Sequence, residues 1–394
     1  MSTYASGLKI LILTHNYIRF PGDHAGLFVH ILAKGLVRCG HKVFVLAPHQ
    51  KGLKRFEMMD DVAVYRFRYA PAGKESLAYI GNMHELVARS WINKFLFLSF
   101  LVSFFVKALT LSLKEKIDLI WAQWWIPGGL IGYSVSLLSQ EPLMVTSHGT
   151  DIRILEKTGL PSRLAGLVFG RAKYVTTVSS FLKEKLNKSI KLAKDKVKVI
   201  PMPVIPETFT PTPLKAEAVK LILCVARFTP QKGLNFFLKA CKILKEKGIG
   251  FQAKIVGEGP LKNFLQQQIL TLNLEDRVFL LDIMPQRELN LLYAESYLCV
   301  LSSLEEGFGL VLVEAQLCKR PIIGTKSGGI PDIIEDEVTG LLVPPGDHLS
   351  LASAMERILA DEKLAGDLAE AGFRSALEKF SPETIQAKYL ELLT

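Results

Sequence analysis

Apolar residues fall in short continuous runs separated by longer stretches of helical spacing, and this alternation restarts once along the chain. In the first half, strand-type runs occupy 8–14, 42–47, 62–68, 117–123, 142–147 and 173–178, and 197–201 closes the series. Helical spacing fills 26–39, 83–113, 128–139, 160–171 and 179–189. Runs that are apolar throughout belong to strands buried on both faces, and intervening helices make such strands parallel. Prolines at 201, 203, 206, 211 and 213 then break regular structure, since proline fixes φ and lacks an N–H. Beyond them, strands are expected at 219–226, 251–256, 277–281, 297–301, 321–324 and 340–343. Helices are expected at 233–247, 260–272, 286–294, 310–318 and 348–360, followed by an all-helical tail over 363–392. The pattern predicts an α/β protein of two Rossmann-like domains whose sheets open, at their carboxyl ends, on one central cleft.

A chain of 394 residues is long enough for two such cores. One helical stretch stands apart. Phe95–Val106 is uncharged, carries five phenylalanines and lies between Lys94 and Lys107. It is too short to span a bilayer. A core helix under the first sheet and a helix lying in a membrane interface both fit it. Charge bears on that choice. Residues 1–210 hold 28 Lys and Arg against 14 Asp and Glu, a net +14, while the remainder nets −4. A basic first half attracts anionic lipid or acidic glycans. Nucleic acid is not expected, because no recognisable nucleic-acid motif accompanies the charge. The five cysteines have neither metal nor disulfide spacing, which points to reduced, buried thiols in a cytosolic protein. Met1 to Gly7 is polar and runs straight into the first strand, unlike a signal peptide.

The candidate chemistry sits where strands end. Glu306-Gly307-Phe308-Gly309 leads from a strand into a helix that carries Glu314, so two carboxylates are separated by seven residues. Glycines there allow close backbone approach, and the helix start at Gly309, Leu310 and Val311 presents free N–H groups. Ionised carboxylates accept hydrogen bonds, so the pair suits the hydroxyls of a sugar or ribose. Arg227 and Lys232 bracket a Pro turn after the strand 219–226, a spacing that fits a diphosphate or two surface cations. Gly257-Glu258-Gly259-Pro260 reads as a tight turn or as one wall of a nucleotide pocket. In the first half, Gly26 opens a helix after the first strand, within Pro21-Gly22-Asp23-His24-Ala25-Gly26-Leu27. His148 ends the strand 142–147, where a histidine could donate to a sugar hydroxyl or a phosphate, or serve structure alone. Asp151 is a candidate helix cap, and Trp124 and Trp125 could stack on a sugar or pack. The pattern around Gly26 is not a G-x-G-x-x-G fingerprint, and Ala47-Pro48-His49 offers no ribose-binding acid, so a dinucleotide cofactor is not expected. No metal-ligand spacing and no nucleophile elbow occur.

Taken in order, these motifs resemble a known family. Arg227…Lys232-Gly233, Val256-Gly257-Glu258-Gly259-Pro260, Glu306-Gly-Phe-Gly…Glu314-Ala315, Gly328-Gly329-Ile-Pro-Asp332 and Thr339-Gly340-Leu-Leu-Val343 are similar to retaining glycosyltransferases of family 4, glycosyl transferases group 1. The likeness extends to Gly26, Phe28, Gly40-His41 and His148-Gly149-Thr150-Asp151. It departs at Met202–Pro206, at Asp282 and at Cys318-Lys319-Arg320.

The resemblance implies the GT-B fold, with an acceptor domain at 1–205, a nucleotide-sugar donor domain at 206–378 and a final helix, 379–394, crossing back onto the first. It implies that Arg227 and Lys232 hold the donor diphosphate and that Glu314 binds the ribose. Glu306 would contact hydroxyls of the transferred sugar. Gly257, Gly309, Leu310 and Val311 would line the donor, Gly26 would approach its phosphate, and His148 would sit by the sugar. Implied too are a UDP- or GDP-sugar as co-substrate with no resident cofactor or metal, and retention of anomeric configuration. The acceptor would be a glycan or lipid-linked molecule of cell-surface polysaccharide, lipopolysaccharide or glycolipid synthesis. Read from the residues themselves, the basic first half and the Phe-rich stretch point to a cytoplasmic enzyme with peripheral contact to the inner membrane face through the basic domain and residues 91–113. A nucleotide-sugar 2-epimerase and a non-catalytic sugar-nucleotide-binding protein remain alternatives.

Overall fold

The computed structural model describes residues 7–20, 22–23, 25–79, 83–156, 159–193, 195–214 and 219–393. Most of the polar N-terminal stretch, and Pro21 and His24 of the first glycine loop, lie outside them. The chain divides into two compact units. One takes its described residues from Met1–Val178, Leu182–Pro203 and Gln386–Thr394, the other from Ser179–Phe181 and Val204–Ile385.

The first unit is built on an eight-stranded sheet. Its strands are β1 (Lys9–Leu13), β2 (Lys42–Pro48), β3 (Phe56–Met59), β4 (Val62–Phe67), β5 (Leu119–Gln123), β6 (Leu143–Ser147), β7 (Tyr174–Thr177) and β8 (Val197–Val199), in the order β3-β4-β2-β1-β5-β6-β7-β8. All pairings are parallel except β3 with β4. The parallel strands stand where continuous apolar runs predict them. The edge strand β3 is absent from that reading, because Phe-Glu-Met-Met is half exposed and too short to show a period. Its hairpin turns at Asp60 and Asp61, both at positive φ (48° and 62°), the conformation a two-residue turn between twisted strands requires.

The helical stretch predicted at 83–113 is two helices, Met83–Arg89 and Trp91–Glu115. Ser90 divides them: its backbone is extended and its hydroxyl accepts from Ile92 N (3.2 Å), a cap that starts the second helix afresh. Phe100 and Phe104 lie against Phe67 of β4, with ring centroids 4.9 and 4.5 Å away, and Phe100 also meets Tyr69 (5.0 Å). The core reading of this helix therefore holds for one face. The opposite face is exposed.

The second unit has six parallel strands, β9 (Lys220–Val225), β10 (Phe251–Val256), β11 (Val278–Leu281), β12 (Leu298–Leu301), β13 (Ile322–Thr325) and β14 (Leu341–Val343), ordered β11-β10-β9-β12-β13-β14. In both sheets the order reverses beside the first strand, at β1/β5 and at β9/β12. Chains leave these two strands in opposite directions, which opens a crevice at their carboxyl ends. Arg320, one of the residues at which the likeness departs, is buried and pins the linker. Its guanidinium donates to Cys318 O (2.9 Å), Ser296 O (2.8 Å) and Thr212 Oγ1 (2.8 Å). The tail forms Glu362–Phe380 and Pro382–Leu393. Within the first unit, Gln386 Nε2 donates to Gly35 O (2.7 Å) and the Tyr389 ring packs 4.7 Å from Trp121. All five cysteines are free. Four are buried, whereas Cys39, at the end of the helix Leu27–Arg38, is exposed, unlike the buried thiols expected.

Candidate active site

The loops after β9 and β12 meet because the strands are neighbours. Leu304 N donates to Gln231 O (2.7 Å), and Ser302 Oγ donates to Lys232 O (3.1 Å). Gly233 completes the fit. It adopts φ 59°, and a Cβ there would stand 2.3 Å from Ser302 O. This stitching delivers Lys232, on the turn Pro230–Lys232, to Glu306. Lys232 Nζ is bonded to Glu306 Oε2, with the two side chains 16% and 14% exposed. Glu306 Oε2 also accepts from Ser303 Oγ (3.2 Å), and Oε1 accepts from Gly307 N (3.1 Å). The turn at Ser327–Gly329 holds the loop from beneath. Ser327 Oγ donates to Leu304 O (2.6 Å) and Gly329 N to Glu306 O (2.9 Å), and Gly328, at φ 60°, leaves no space for a side chain beside Glu306 O. Arg227, one turn earlier, is exposed and makes no ion pair among the described residues.

Gly309 precedes the helix Leu310–Leu317 at φ 109° with no side-chain cap, so the N–H groups of Leu310 and Val311 lack intrahelical acceptors. Glu314, one turn on, differs from expectation. It accepts from Tyr293 Oη (2.8 Å), and burial raises its carboxyl to about 7. Near neutral pH it is thus part protonated rather than simply an ionised acceptor. The two carboxylates occupy opposite environments: Glu306 faces a lysine, and Glu314 faces a phenol in an enclosed place. Gly257 has a structural cause of its own. A Cβ there would lie 2.0 Å from Ala226 O, and Phe228 N donates to Glu258 O (2.7 Å), so this glycine turn is shaped by packing on the loop after β9.

Gly26 and His148 lie in the first unit, at its own crevice. Gly26 starts the helix Leu27–Arg38 at φ 68°, and a Cβ would stand 2.3 Å from Asn16 O. Two residues on, the Phe28 ring is 4.8 Å from His148, which is 4.4 Å from Trp124. His148 is enclosed by these rings. Burial pushes its pKa down to about 3, and its Nε2 faces Gln123 Oε1 at 2.8 Å. The ring is neutral, its N–H is already used, and Nδ1 has no partner. With Nε2 held against Gln123, Nδ1 is the ring atom left open to a ligand. Asp151 is no helix cap. Its carboxylate accepts from the backbone N–H of Trp125 (3.0 Å), His148 (3.2 Å) and Gly149 (3.0 Å), clamping two rim loops together. Trp125 is fully buried, its indole donating to Asp151 O (2.7 Å), so it packs.

Sequence reasoning passed over His15, Asn16 and Gln123. His15 Nδ1, Asn16 Oδ1, Gln123 Nε2 and His148 Nδ1 are all buried without a partner, at the ends of β1, β5 and β6. Unpaired buried polar atoms gathered in one place mark a spot completed by a ligand or water. A cavity of about 260 Å³ adjoins them, with His15, Asn16 and Thr150 at its polar part and Met83, Val87 and Phe97 among its apolar lining. The position of Thr14-His15-Asn16 immediately after the first strand was the available signal. Among the described residues no three His, Cys, Asp or Glu side chains cluster as metal ligands would.

Comparison with known proteins decides the family. Residues 25–208 match glycosyltransferase family 4, and 207–375 match glycosyl transferases group 1. The chain is 30% identical to the N-acetyl-alpha-D-glucosaminyl L-malate synthase of Bacillus anthracis over 70% of its own length and 74% of the relative's. The chain belongs to the group 1, family 4 glycosyltransferases. This glycosyltransferase is also 31% identical to the putative colanic acid biosynthesis glycosyltransferase WcaL of Escherichia coli, over 62% of each chain. Its fold matches that of Anabaena HepE, solved with UDP and glucose, with a TM-score of 0.75 at 21% identity, covering 98% of this chain and 99% of that one. The two α/β units are those of the GT-B fold.

Proposed function

We propose that this glycosyltransferase moves a hexosyl group from a nucleotide-diphosphate sugar to a glycan or lipid-linked acceptor, with retention, in polysaccharide or glycolipid synthesis on the cytoplasmic face of a membrane. The observation that carries the reading is the Lys232–Glu306 pair at the β9/β12 crevice, one loop from the open helix end at Gly309. Paired as they are, each neutralises the other. A bound donor offers Lys232 a phosphate and Glu306 a sugar hydroxyl, so both exchange partners without either charge being stranded.

The transfer breaks the bond from the anomeric carbon to the diphosphate oxygen, and the electron pair leaves with that oxygen. Arg227, Lys232 and the N–H groups of Leu310 and Val311 stabilise the charge that develops there. The acceptor hydroxyl bonds to the anomeric carbon from the same face and gives its proton to the departing phosphate oxygen. Glu314 holds the ribose, Glu306 the sugar, and Gly257 supports the loop that presents Arg227. Within the first unit, Gly26 keeps its helix start free of a side chain, and His148 Nδ1 is open to a hydroxyl of a ligand bound in that crevice. No protein nucleophile is invoked. The Glu306–Glu314 pair suits a glycosidase mechanism poorly, since Glu306 is engaged by lysine and Glu314 by Tyr293.

UDP and glucose bound to HepE, and the colanic acid biosynthesis assigned to WcaL, support a nucleotide-sugar donor and a polysaccharide product. A thermal-shift screen of UDP-, GDP- and ADP-sugars tests the reading. One class should raise the melting temperature by about 3 °C or more at saturation, and no shift with any of them would refute it.

A further inference from the structure

The helix Trp91–Glu115 is apolar around its girth, yet the fold covers only part of it. Phe100, Phe104, Ala108 and Leu111 are buried. On the other side Trp91, Phe95, Leu98, Val102 and Val106 are each more than half exposed. They recur every three or four residues and so form one line along the helix. By length and composition the helix could cross a membrane. To do so it would have to leave Phe67 and Tyr69, on which its inner face is stacked. It is a helix with one side in the protein and one apolar side open, and contiguous exposed apolar surface of this kind marks an interaction site.

Charge says what the occupant is. Lys94 Nζ lies 4.1 Å from the centre of the Trp91 ring, Lys107 Nζ lies 5.3 Å from that of Tyr65, and Lys114 follows near the helix end. Glu115, the one carboxylate in the helix, is mostly buried and paired with Lys114 at 3.7 Å. The helix thus carries three lysines against one paired carboxylate, a balance that favours an anionic partner over a second copy of the same basic helix. An anionic bilayer meets both features: the apolar line enters the acyl boundary while lysine stems reach up to the phosphates.

We propose that the outer face of Trp91–Glu115 docks, parallel to the surface, in an anionic phospholipid membrane. Phe97 of this helix, with Met83 and Val87 of the helix before it, also lines the cavity beside His15 and Asn16. Docking brings that cavity to the membrane interface. On the transfer reading above, a lipid-anchored acceptor reaches it without leaving the bilayer.

The test is sedimentation of the full chain with vesicles of equimolar phosphatidylglycerol and phosphatidylcholine, against vesicles of phosphatidylcholine alone. The protein should pellet with the anionic vesicles and release in high salt. The double variant Phe95→Glu/Val102→Glu should lose about tenfold or more in partition, and Lys94→Glu/Lys107→Glu roughly fivefold for each lysine. All four positions lie outside the core, so melting temperatures should match the wild type. Wild-type protein left in the supernatant, or a double variant that binds equally well, would overturn the proposal. So would a light-scattering dimer that Phe95→Glu dissociates in the absence of any vesicle binding, which would assign the face to a second copy. Vesicle binding is read without turnover, so a failed transfer assay leaves this test standing.

Discussion

Glu314 shows what a single side chain owes to its surroundings. Its spacing from Glu306 is plain in the sequence, but its titration is not, because enclosure beside Tyr293 depends on a residue 21 positions earlier, on another helix. Burial raises its carboxyl to about 7, against about 4.3 for an unfolded glutamate. Between those values the unfolded chain has released a proton that the folded chain keeps. Stability therefore falls as pH rises through that window. Glu314→Gln, which copies the protonated form, should raise the melting temperature by roughly 2–4 °C at pH 8 and change it little near pH 4. Calorimetry at the two values checks this, and an equal shift at both would contradict the burial account. His148 carries the same lesson. A histidine after a strand is visible in the sequence, but its neutrality and its occupied Nε2 follow from Gln123 and the Phe28–Trp124 enclosure.

At the level of elements, the parallel strands were legible because a strand buried on both faces has no polar alternation to blur it. The edge strand β3 and the break at Ser90 were not, since each depends on a local turn or cap rather than a period. The helix Trp91–Glu115 is the instructive case. Its composition fits core and interface alike, and only its partners separate the two faces. Phe100→Ala should cost about 3–5 kcal/mol, as burial against Phe67 and Tyr69 implies. Phe95→Ala, on the open face, should stay within about 0.5 kcal/mol. Denaturant titration of both variants measures the difference, and equal losses would mean the faces are wrongly assigned.

For the whole molecule, ordered motifs specify a family far better than any one of them, and here the chain's likeness to group 1 glycosyltransferases rests on five in sequence. What the motifs could not show is that Lys232 and Glu306 pair. Lys232 and Glu306 stand 74 positions apart, and they meet only because β9 and β12 are neighbours and Gln231 is bonded to Leu304. If lysine, arginine and the helix end supply the charge that stabilises the leaving diphosphate, transfer should persist in EDTA. Complete loss that Mg²⁺ restores would contradict that scheme.

The central claim is that Lys232 stabilises the departing diphosphate, and turnover of the preferred nucleotide sugar by Lys232→Ala tests it most directly. A fall in kcat of about a hundredfold or more, with the melting temperature and far-ultraviolet spectrum retained, is the expected result. Wild-type kcat in a folded Lys232→Ala protein would contradict it.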